Sequence, residues 1–310
     1  MTSRWTSSVP ALAAAVLAAG VLTGPAVAAT PVAGPSGADA ALDILLTNDD
    51  GYRAPTLAAL RRALTAAGHR VTVVAPCDDQ SGIGTKQVSN YPRGVPTPAN
   101  TITATQPAPD VWAVCASPGD AVLFGVRNVL PAPPDLVVSG VNPGQNAGAV
   151  TNHSGTVGAT IMAGELGIPA VAVSVEIDPT TDPPAVGSVP DAAAYTVRLV
   201  ERLRVTAAGR PLLPRHVTLN VNYPVAAEPR GTLVTRTGRL AFVRPSFVPT
   251  DLCADCYLVR PELDLGPDPV PWSDNNALAT DHIAVTPLDG DWTAAEEVRS
   301  NLRHRLAALR

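Results

Sequence analysis

The chain has 310 residues but a single lysine, Lys86, and a net charge of −5, and no Arg/Lys run or basic patch appears in it. Duplex nucleic acid, which is bound through many phosphate contacts, is therefore a poor partner, whereas a small anion held through a metal ion stays compatible. No G-x-G-x-x-G follows a strand: Gly82-Ile83-Gly84 lacks the third glycine, and no P-loop sequence occurs. Dinucleotide and NTPase sites are disfavoured accordingly. Cysteine is scarce. Cys253-Ala254-Asp255-Cys256 has the C-x-x-C spacing, but no second such pair and no histidine pair at zinc spacing accompanies it. That speaks against a zinc site. No internal repeat is present.

The N-terminus carries Arg4, an apolar run from Ala11 to Leu22 and the small-x-small triplet Ala26-Val27-Ala28. These predict a cleavable signal peptide over residues 1–29, with an apolar run too short to span a membrane. The mature protein is expected to be secreted or extracytoplasmic, with no membrane contact after cleavage. Residues 30–42 read as a flexible leader rich in Pro, Gly and Ala. Residues 43–310 then suffice for one domain. In an oxidising compartment four cysteines imply two disulfides. Cys253 with Cys256 reads as a small structural loop, which leaves Cys77 for Cys115; sequence alone does not decide among the three connectivities.

Apolar runs at Asp43 to Thr47, Val71 to Ala75, Asp135 to Ser139, Pro169 to Val175 and Val217 to Val221 predict buried strands. Helical spacing follows Pro55, with Leu57, Leu60 and Leu64 on one stripe, and recurs over Asp120 to Leu130, Thr156 to Leu166 and Tyr195 to Leu203. Strands alternating with helices predict a three-layer α/β fold around a mostly parallel sheet. The region from Ser81 to Ala113 reads as loops and short edge strands. After Pro224 the pattern shortens: Thr232 to Val243, Cys256 to Leu263 and His282 to Thr286 predict a hairpin-like appendage over 225–290. Thr293 with Glu296 suggests a capping box for a terminal helix over 293–310, lined by Val298, Leu302, Leu306 and Leu309.

In open α/β sheets ligands collect beyond the carboxyl ends of the strands. Three polar clusters fall there: Asn48-Asp49-Asp50-Gly51, Asp78-Asp79-Gln80-Ser81-Gly82, and Ser139-Gly140-Val141-Asn142 continuing through Asn146 to His153-Ser154-Gly155-Thr156. Adjacent carboxylates repel, and burying either one unpaired is costly. A divalent cation relieves both problems, and oxygen-only ligands suit Mg²⁺, Mn²⁺ or Ca²⁺. A solvated turn that caps the next helix accounts for the tetrapeptide equally well. Ser154 to Thr156 open a helix whose free N–H groups make an anion site, and an N-cap by Ser154 is compatible with that.

The ordered set LLTNDDG, VVAP, SG, DLVVSGVNPGQNAG, SGTVGA, GIPAVAVS and VTPL resembles the SurE family (survival protein E), metal-dependent 5′/3′-nucleotidases and acid phosphatases, over roughly Asp43 to Leu288. The resemblance implies a Rossmann-like three-layer α/β/α core with a C-terminal β-hairpin appendage exchanged between the subunits of a homodimer or higher homo-oligomer. It implies one divalent metal ion (Mg²⁺ or Mn²⁺, with Ca²⁺ also admissible) on Asp49, Asp50, Ser81 and Asn142. It places Asn48, Asn146, Ser154, Gly155 and Thr156 around the phosphate of a small phosphorylated substrate. Asp49, Asp50, Asn146 and Ser154 would then carry catalysis; His153, read from its chemistry and not from the resemblance, either protonates the leaving alkoxide or serves as a supporting hydrogen-bond donor. The chain departs from the family at His153, where tyrosine is common, at Ile83-Gly84-Thr85-Lys86, where serines usually follow, and at Asp281, where glycine is frequent.

The expected activity is hydrolysis of nucleoside 5′- or 3′-monophosphates. The alternatives are a broad acid phosphatase or short-chain polyphosphatase, a serine hydrolase using Ser154, and a metal- or nucleotide-binding module with weak turnover. Ser154 lacks the G-x-S-x-G surround of a nucleophile elbow.

Overall fold

The computed structural model describes residues 41–88 and 100–307. The segment read as a signal peptide, most of the segment read as a leader, and Leu309 lie outside the described residues. Leu42 is fully buried and donates its N–H to His69 Nδ1 at 3.3 Å, so the packed core begins just before the first strand.

The chain first builds β1 (Asp43–Thr47), α1 (Pro55–Ala66) and β2 (Arg70–Pro76), a right-handed crossover unit. Pro55 fits the first helical turn, and the predicted stripe of Leu57, Leu60 and Leu64 is the buried face. The stretch read as loops and short edge strands supplies β3 (Ala104–Ala108) and β4 (Val111–Val114) at one edge of the sheet. Ser117 and Asp120 form a reciprocal capping box at the start of α2 (Pro118–Phe124), which runs into a π-turn over Gly125–Val129. Then come β5 (Leu136–Pro143), α3 (Gly155–Glu165), β6 (Ala170–Val175), a small ribbon of β7 (Ile177–Asp178) and β8 (Ala185–Val186), α4 (Val189–Ala207) and β9 (Thr218–Tyr223). α4 is longer than its apolar stripe predicts because Ser188 caps it early, accepting the Asp191 N–H at 3.3 Å.

The remaining strands are β10 (Thr232–Val234), β11 (Val243–Pro249), β12 (Tyr257–Leu263) and β13 (Ile283–Leu288), with α5 (Asp274–Leu278) before β13 and α6 (Glu296–Arg305) after it. The central sheet has nine strands in the order β10-β13-β9-β6-β5-β1-β2-β4-β3. The run from β9 to β4 is parallel; β13 pairs antiparallel with β9, and β3 with β4. Ile44 and Leu46 of β1 pack in the apolar layer with α1 and α4, while Leu45 packs in the opposite layer with α2 and α3. Burial on both faces explains why the parallel strands read as unbroken apolar runs.

The C-terminal third differs from its sequence reading in three respects. β10 and β13 join the central sheet, so the appendage narrows to the β11–β12 hairpin, which pairs from Val243↔Leu263 to Pro249↔Tyr257. The strand expected over Thr232 to Val243 is broken, because the N–H groups of Gly238, Arg239 and Leu240 leave the ladder for the carboxylates of Asp274 and Asp268. The capping box at Thr293 and Glu296 does not form: Ala295 is the N-cap of α6, and the Thr293 N–H turns back to Asp291 Oδ1 at 2.7 Å. Val298, Leu302 and Leu306 are exposed rather than packed.

Candidate active site

The site is assembled where β1, β2 and β5 end and α3 begins. Two backbone bonds join the β1 and β2 loops: Tyr52 N–H to the Pro76 carbonyl at 2.8 Å, and Gln80 N–H to the Asp49 carbonyl at 2.7 Å. They bring the Asp78–Ser81 turn, remote in sequence, against Asn48-Asp49-Asp50. β5 enters from the other side, with Ser139 opposite Thr47 in register. Its register against β6 shifts between Gly140 and Asn142: this bulge leaves Val141 out of the ladder, and Asn142 resumes it opposite Ser174 near the strand's end.

Asp49 is buried. Its Oδ1 accepts the Thr156 hydroxyl at 2.7 Å. Thr156 lies in the first turn of α3, so this carboxylate occupies the positive end of the helix. A Cβ on Gly155 would lie 2.8 Å from Asp49 Cβ and 2.9 Å from its Oδ2, so only glycine admits the carboxylate there. Burial raises the Asp49 pKa above the ordinary carboxylate range, against the pull of the Thr156 bond. Asp50 is pushed up to about 6, first by burial and then by the charges of Asp49 and Asp79.

Four oxygens here are buried without a hydrogen-bond partner: Asp50 Oδ2, Asn48 Oδ1, Thr47 Oγ1 and Ser139 Oγ. Asn48 gives its Nδ2 to the Gly51 carbonyl at 3.1 Å, and Asn142 gives its Nδ2 to the Gly144 carbonyl at 2.8 Å, which assigns each remaining amide oxygen as the acceptor. Ser81 is exposed and donates its hydroxyl to Asp79 Oδ1 at 2.6 Å, keeping its own lone pairs available. Among the described residues no group of three His, Cys, Asp or Glu side chains gathers. An ion at this place would therefore draw on the neutral oxygens of Ser81 and Asn142 beside Asp49 and Asp50. The donor chemistry and the orphaned buried oxygens fit a hard divalent cation.

The residues expected around a phosphate divide into two groups. Ser154 is the N-cap of α3, accepting the Val157 N–H at 3.0 Å, and among the described residues no histidine bonds its hydroxyl. Asn146 points its amide nitrogen inward, to Ser174 Oγ at 2.9 Å and Thr156 Oγ1 at 3.4 Å. In this arrangement Asn146 and Thr156 brace Asp49 before they reach any phosphate, because a buried carboxylate competes for the nearest donors. His153 is exposed, and its carbonyl accepts the Gly84 N–H at 3.0 Å. Thus the departing segment Ile83–Lys86 lies against the entrance to α3.

Several supporting residues escaped the sequence reading. The Asn146 carbonyl accepts Asn220 Nδ2 at 2.7 Å, Asn222 Nδ2 at 3.3 Å and Thr151 Oγ1 at 3.0 Å. The signal was present: two asparagines at alternate positions of an otherwise apolar strand share one face, where burial demands partners. Asp79, which orients Ser81, stood in the second polar cluster with no role of its own.

The structure brings Cys77 together with Cys115, and Cys253 with Cys256, at disulfide distance, the first pair with Cα atoms 4.8 Å apart. Cys77 immediately precedes the turn that holds Asp79 and Ser81. Beside it lies a cavity of about 350 Å³ bordered by Asp78, Gln80, Lys86, Ser117 and Asp120.

Residues 44–244 match the family model described as "Survival protein SurE". A protein named 5′-nucleotidase SurE from Geotalea uraniireducens (strain Rf4) is 36% identical over 254 residues, covering 81% of this chain and 94% of its own length. One of the same name from Syntrophobacter fumaroxidans is 38% identical over 259 residues, covering 82% and 96%. The crystal structure of SurE protein from Aquifex aeolicus superposes with a TM-score of 0.66 at 30% identity, covering 84% of this chain and 98% of that one. A family match across most of the core, similar relatives covered nearly end to end and a shared fold agree: the chain belongs to the SurE family.

Proposed function

We propose that this protein is a metal-dependent phosphomonoesterase that hydrolyses nucleoside 5′- or 3′-monophosphates to nucleoside and phosphate. One observation carries the reading. Asp49 is fixed at the start of α3 by Thr156, while its neighbour Asp50 keeps a buried oxygen with no partner. Two adjacent carboxylates in that state suit a cation better than a plain turn. The names of the similar proteins point the same way.

Asp49, Asp50, Ser81 and Asn142 would hold Mg²⁺, Mn²⁺ or Ca²⁺. Such an ion supplies charge neutralisation at a phosphoryl oxygen and an acidified water. The chain's own residues set the geometry. Thr156 and Gly155 fix Asp49; Asp79 orients Ser81; the Gly144 carbonyl turns the Asn142 amide. Asn146 has a long 3.4 Å bond to Thr156, which a phosphate oxygen is suited to replace. His153, exposed beside the Ser154–Thr156 turn, would give a proton to the departing alkoxide or support the site through a hydrogen bond. The neighbouring cavity has a volume suited to the organic part of the ester. A serine-hydrolase reading finds less support, because the Ser154 hydroxyl serves as a helix cap.

Export through the segment 1–29 and an extracytoplasmic location belong to the same proposal, and the two cysteine pairs support it. So does self-association through the β11–β12 arm, where Phe247, Tyr257 and Val259 are exposed. The deciding experiment is phosphate release from nucleoside 5′- and 3′-monophosphates, short polyphosphate and a generic aryl phosphate, with Mg²⁺, Mn²⁺, Ca²⁺ or chelator. Turnover that persists in chelator sinks the metal reading; preference for polyphosphate or the aryl ester replaces the substrate class.

A further inference from the structure

Asp274 has no part in the site described above, yet it is completely buried at the start of α5. Its Oδ1 accepts three backbone N–H groups: Gly148 at 3.0 Å, Gly238 at 2.9 Å and Asn275 at 2.9 Å. Gly148 is two residues beyond Asn146 on the loop that leads into α3. Gly238 belongs to the root of the β11–β12 arm. Asp268 holds the same root, accepting the Arg239 and Leu240 N–H groups, each at 2.9 Å from Oδ2, and Asn275 Nδ2 at 2.8 Å. The Leu240 carbonyl in turn accepts the Ala149 N–H at 3.0 Å and Asn275 Nδ2 at 3.2 Å. A Cβ on Gly148 would overlap Asn275 Nδ2 and the Leu240 carbonyl, so loop and root touch directly.

From Gly148 the connection runs inward through Asn146 to the Thr156 hydroxyl, and from there to Asp49. We propose that Asp274 is a positioning residue for phosphoester hydrolysis: one carboxylate oxygen seats both the loop that carries Asn146 and the root of the arm, and thereby sets Thr156 on Asp49. The proposal rests on the reading of Asp49 as part of the active site. A helix-capping duty alone would not need Asp274. Ser273 already caps α5, accepting the Asn276 N–H at 3.2 Å. A buried carboxylate is also a costly acceptor unless donors meet it, and here Oδ1 gathers donors from two remote segments and from the adjacent Asn275, while Oδ2 is left without one.

The test compares Asp274→Ala, Asp274→Asn and Ser273→Ala in the full mature chain. Two readouts are taken: kcat and KM for adenosine 5′-monophosphate with Mn²⁺, and amide hydrogen exchange over residues 146–153. Asp274→Ala is expected to lower kcat by about 10- to 100-fold, the scale of a misplaced catalytic group, with KM changed far less. It is also expected to speed exchange at Gly148 and Ala149. Asp274→Asn keeps an acceptor oxygen and should recover most of both. Ser273→Ala, which loses the helix cap alone, should melt earlier with normal kcat and normal exchange at Gly148. If alanine does not fold, Asp274→Ser, whose hydroxyl is too short to reach Gly148, is held to the same criteria. A folded Asp274→Ala or Asp274→Ser protein with unaltered kcat and exchange overturns the proposal, as does a Ser273→Ala protein that matches it in both. Should the unaltered enzyme release no phosphate from any ester, the functional reading fails instead, and the exchange comparison alone decides whether Asp274 seats the loop.

Discussion

The Thr156 hydroxyl donates to Asp49 Oδ1 at 2.7 Å across 107 residues of sequence. It ties the first turn of α3 to the end of β1, and it holds the first aspartate of the pair in place while the second keeps an open oxygen. Replacing Thr156 by valine keeps the shape and deletes the donor. A buried carboxylate left short of a bond costs about 1–3 kcal/mol. The Thr156→Val protein should unfold at lower denaturant concentration by that amount and lose most of its phosphate release, while Thr156→Ser should retain both. Equal stability of the valine variant in chemical denaturation would remove the brace from the account.

Asp50→Asn should separate stability from function. The carboxyl of Asp50 is pushed up to about 6 by burial and by Asp49 and Asp79, so ionising it in the metal-free protein costs more than in the unfolded chain. The amide variant should melt no lower than the unaltered protein without metal, and higher if the repulsion dominates. It should also lose phosphate release and the thermal shift that Mn²⁺ or Mg²⁺ produces. A metal-induced shift that survives in Asp50→Asn places the ion elsewhere.

Gly155→Ala introduces a methyl 2.8 Å from Asp49 Cβ. Either α3 or the carboxylate must move, at a cost of about 1–3 kcal/mol for overpacking. Phosphate release should fall more than the melting point indicates, because the displaced group is Asp49. Measuring kcat per folded molecule decides this; unchanged turnover contradicts the close fit.

His69 gives an acid limit to stability that is independent of the site. Its ring is buried, with Nε2 3.4 Å from Glu201. Burial lowers its pKa below the ordinary value, Arg204 works in the same direction, and Glu201 opposes them. The unfolded chain, with a histidine pKa of about 6.5, binds the proton first as pH falls. Stability from this group is therefore present above about pH 6.5 and declines as pH drops toward the folded value. His69→Gln should flatten urea-unfolding free energies between about pH 5 and 7 relative to the unaltered chain. An identical slope would mean that other groups set the acid limit.

The Cys77–Cys115 pair encloses 38 residues of separation. By loop-closure entropy a bond there contributes about 4 kcal/mol at most. Reduction should lower the melting temperature, and phosphate release should fall with it, because Asp78 to Ser81 follow Cys77 directly. Mass spectrometry after alkylation without reductant provides the check: free thiols at both positions in the protein purified under oxidising conditions would refute the pairing.

Much of this protein was legible from its residues taken in order. Apolar runs of β1, β2, β5, β6 and β9 declare a sheet covered on both faces, since only double burial tolerates such strings without alternation. Asn48-Asp49-Asp50-Gly51 announces a charge problem at the end of a strand, and Ser154 marks the start of α3. These are local statements, set by backbone preference and neighbouring side chains. What tertiary structure alone decided are the meetings across long stretches of chain: Asn146 with Asn220 and Asn222, Gly148 with Asp274, Thr156 with Asp49. No period or spacing encodes them, because which donor reaches a buried acceptor depends on how the strands are ordered. The same holds for β10 and β13, short alternating segments whose place in the central sheet follows from the antiparallel register of β13 on β9.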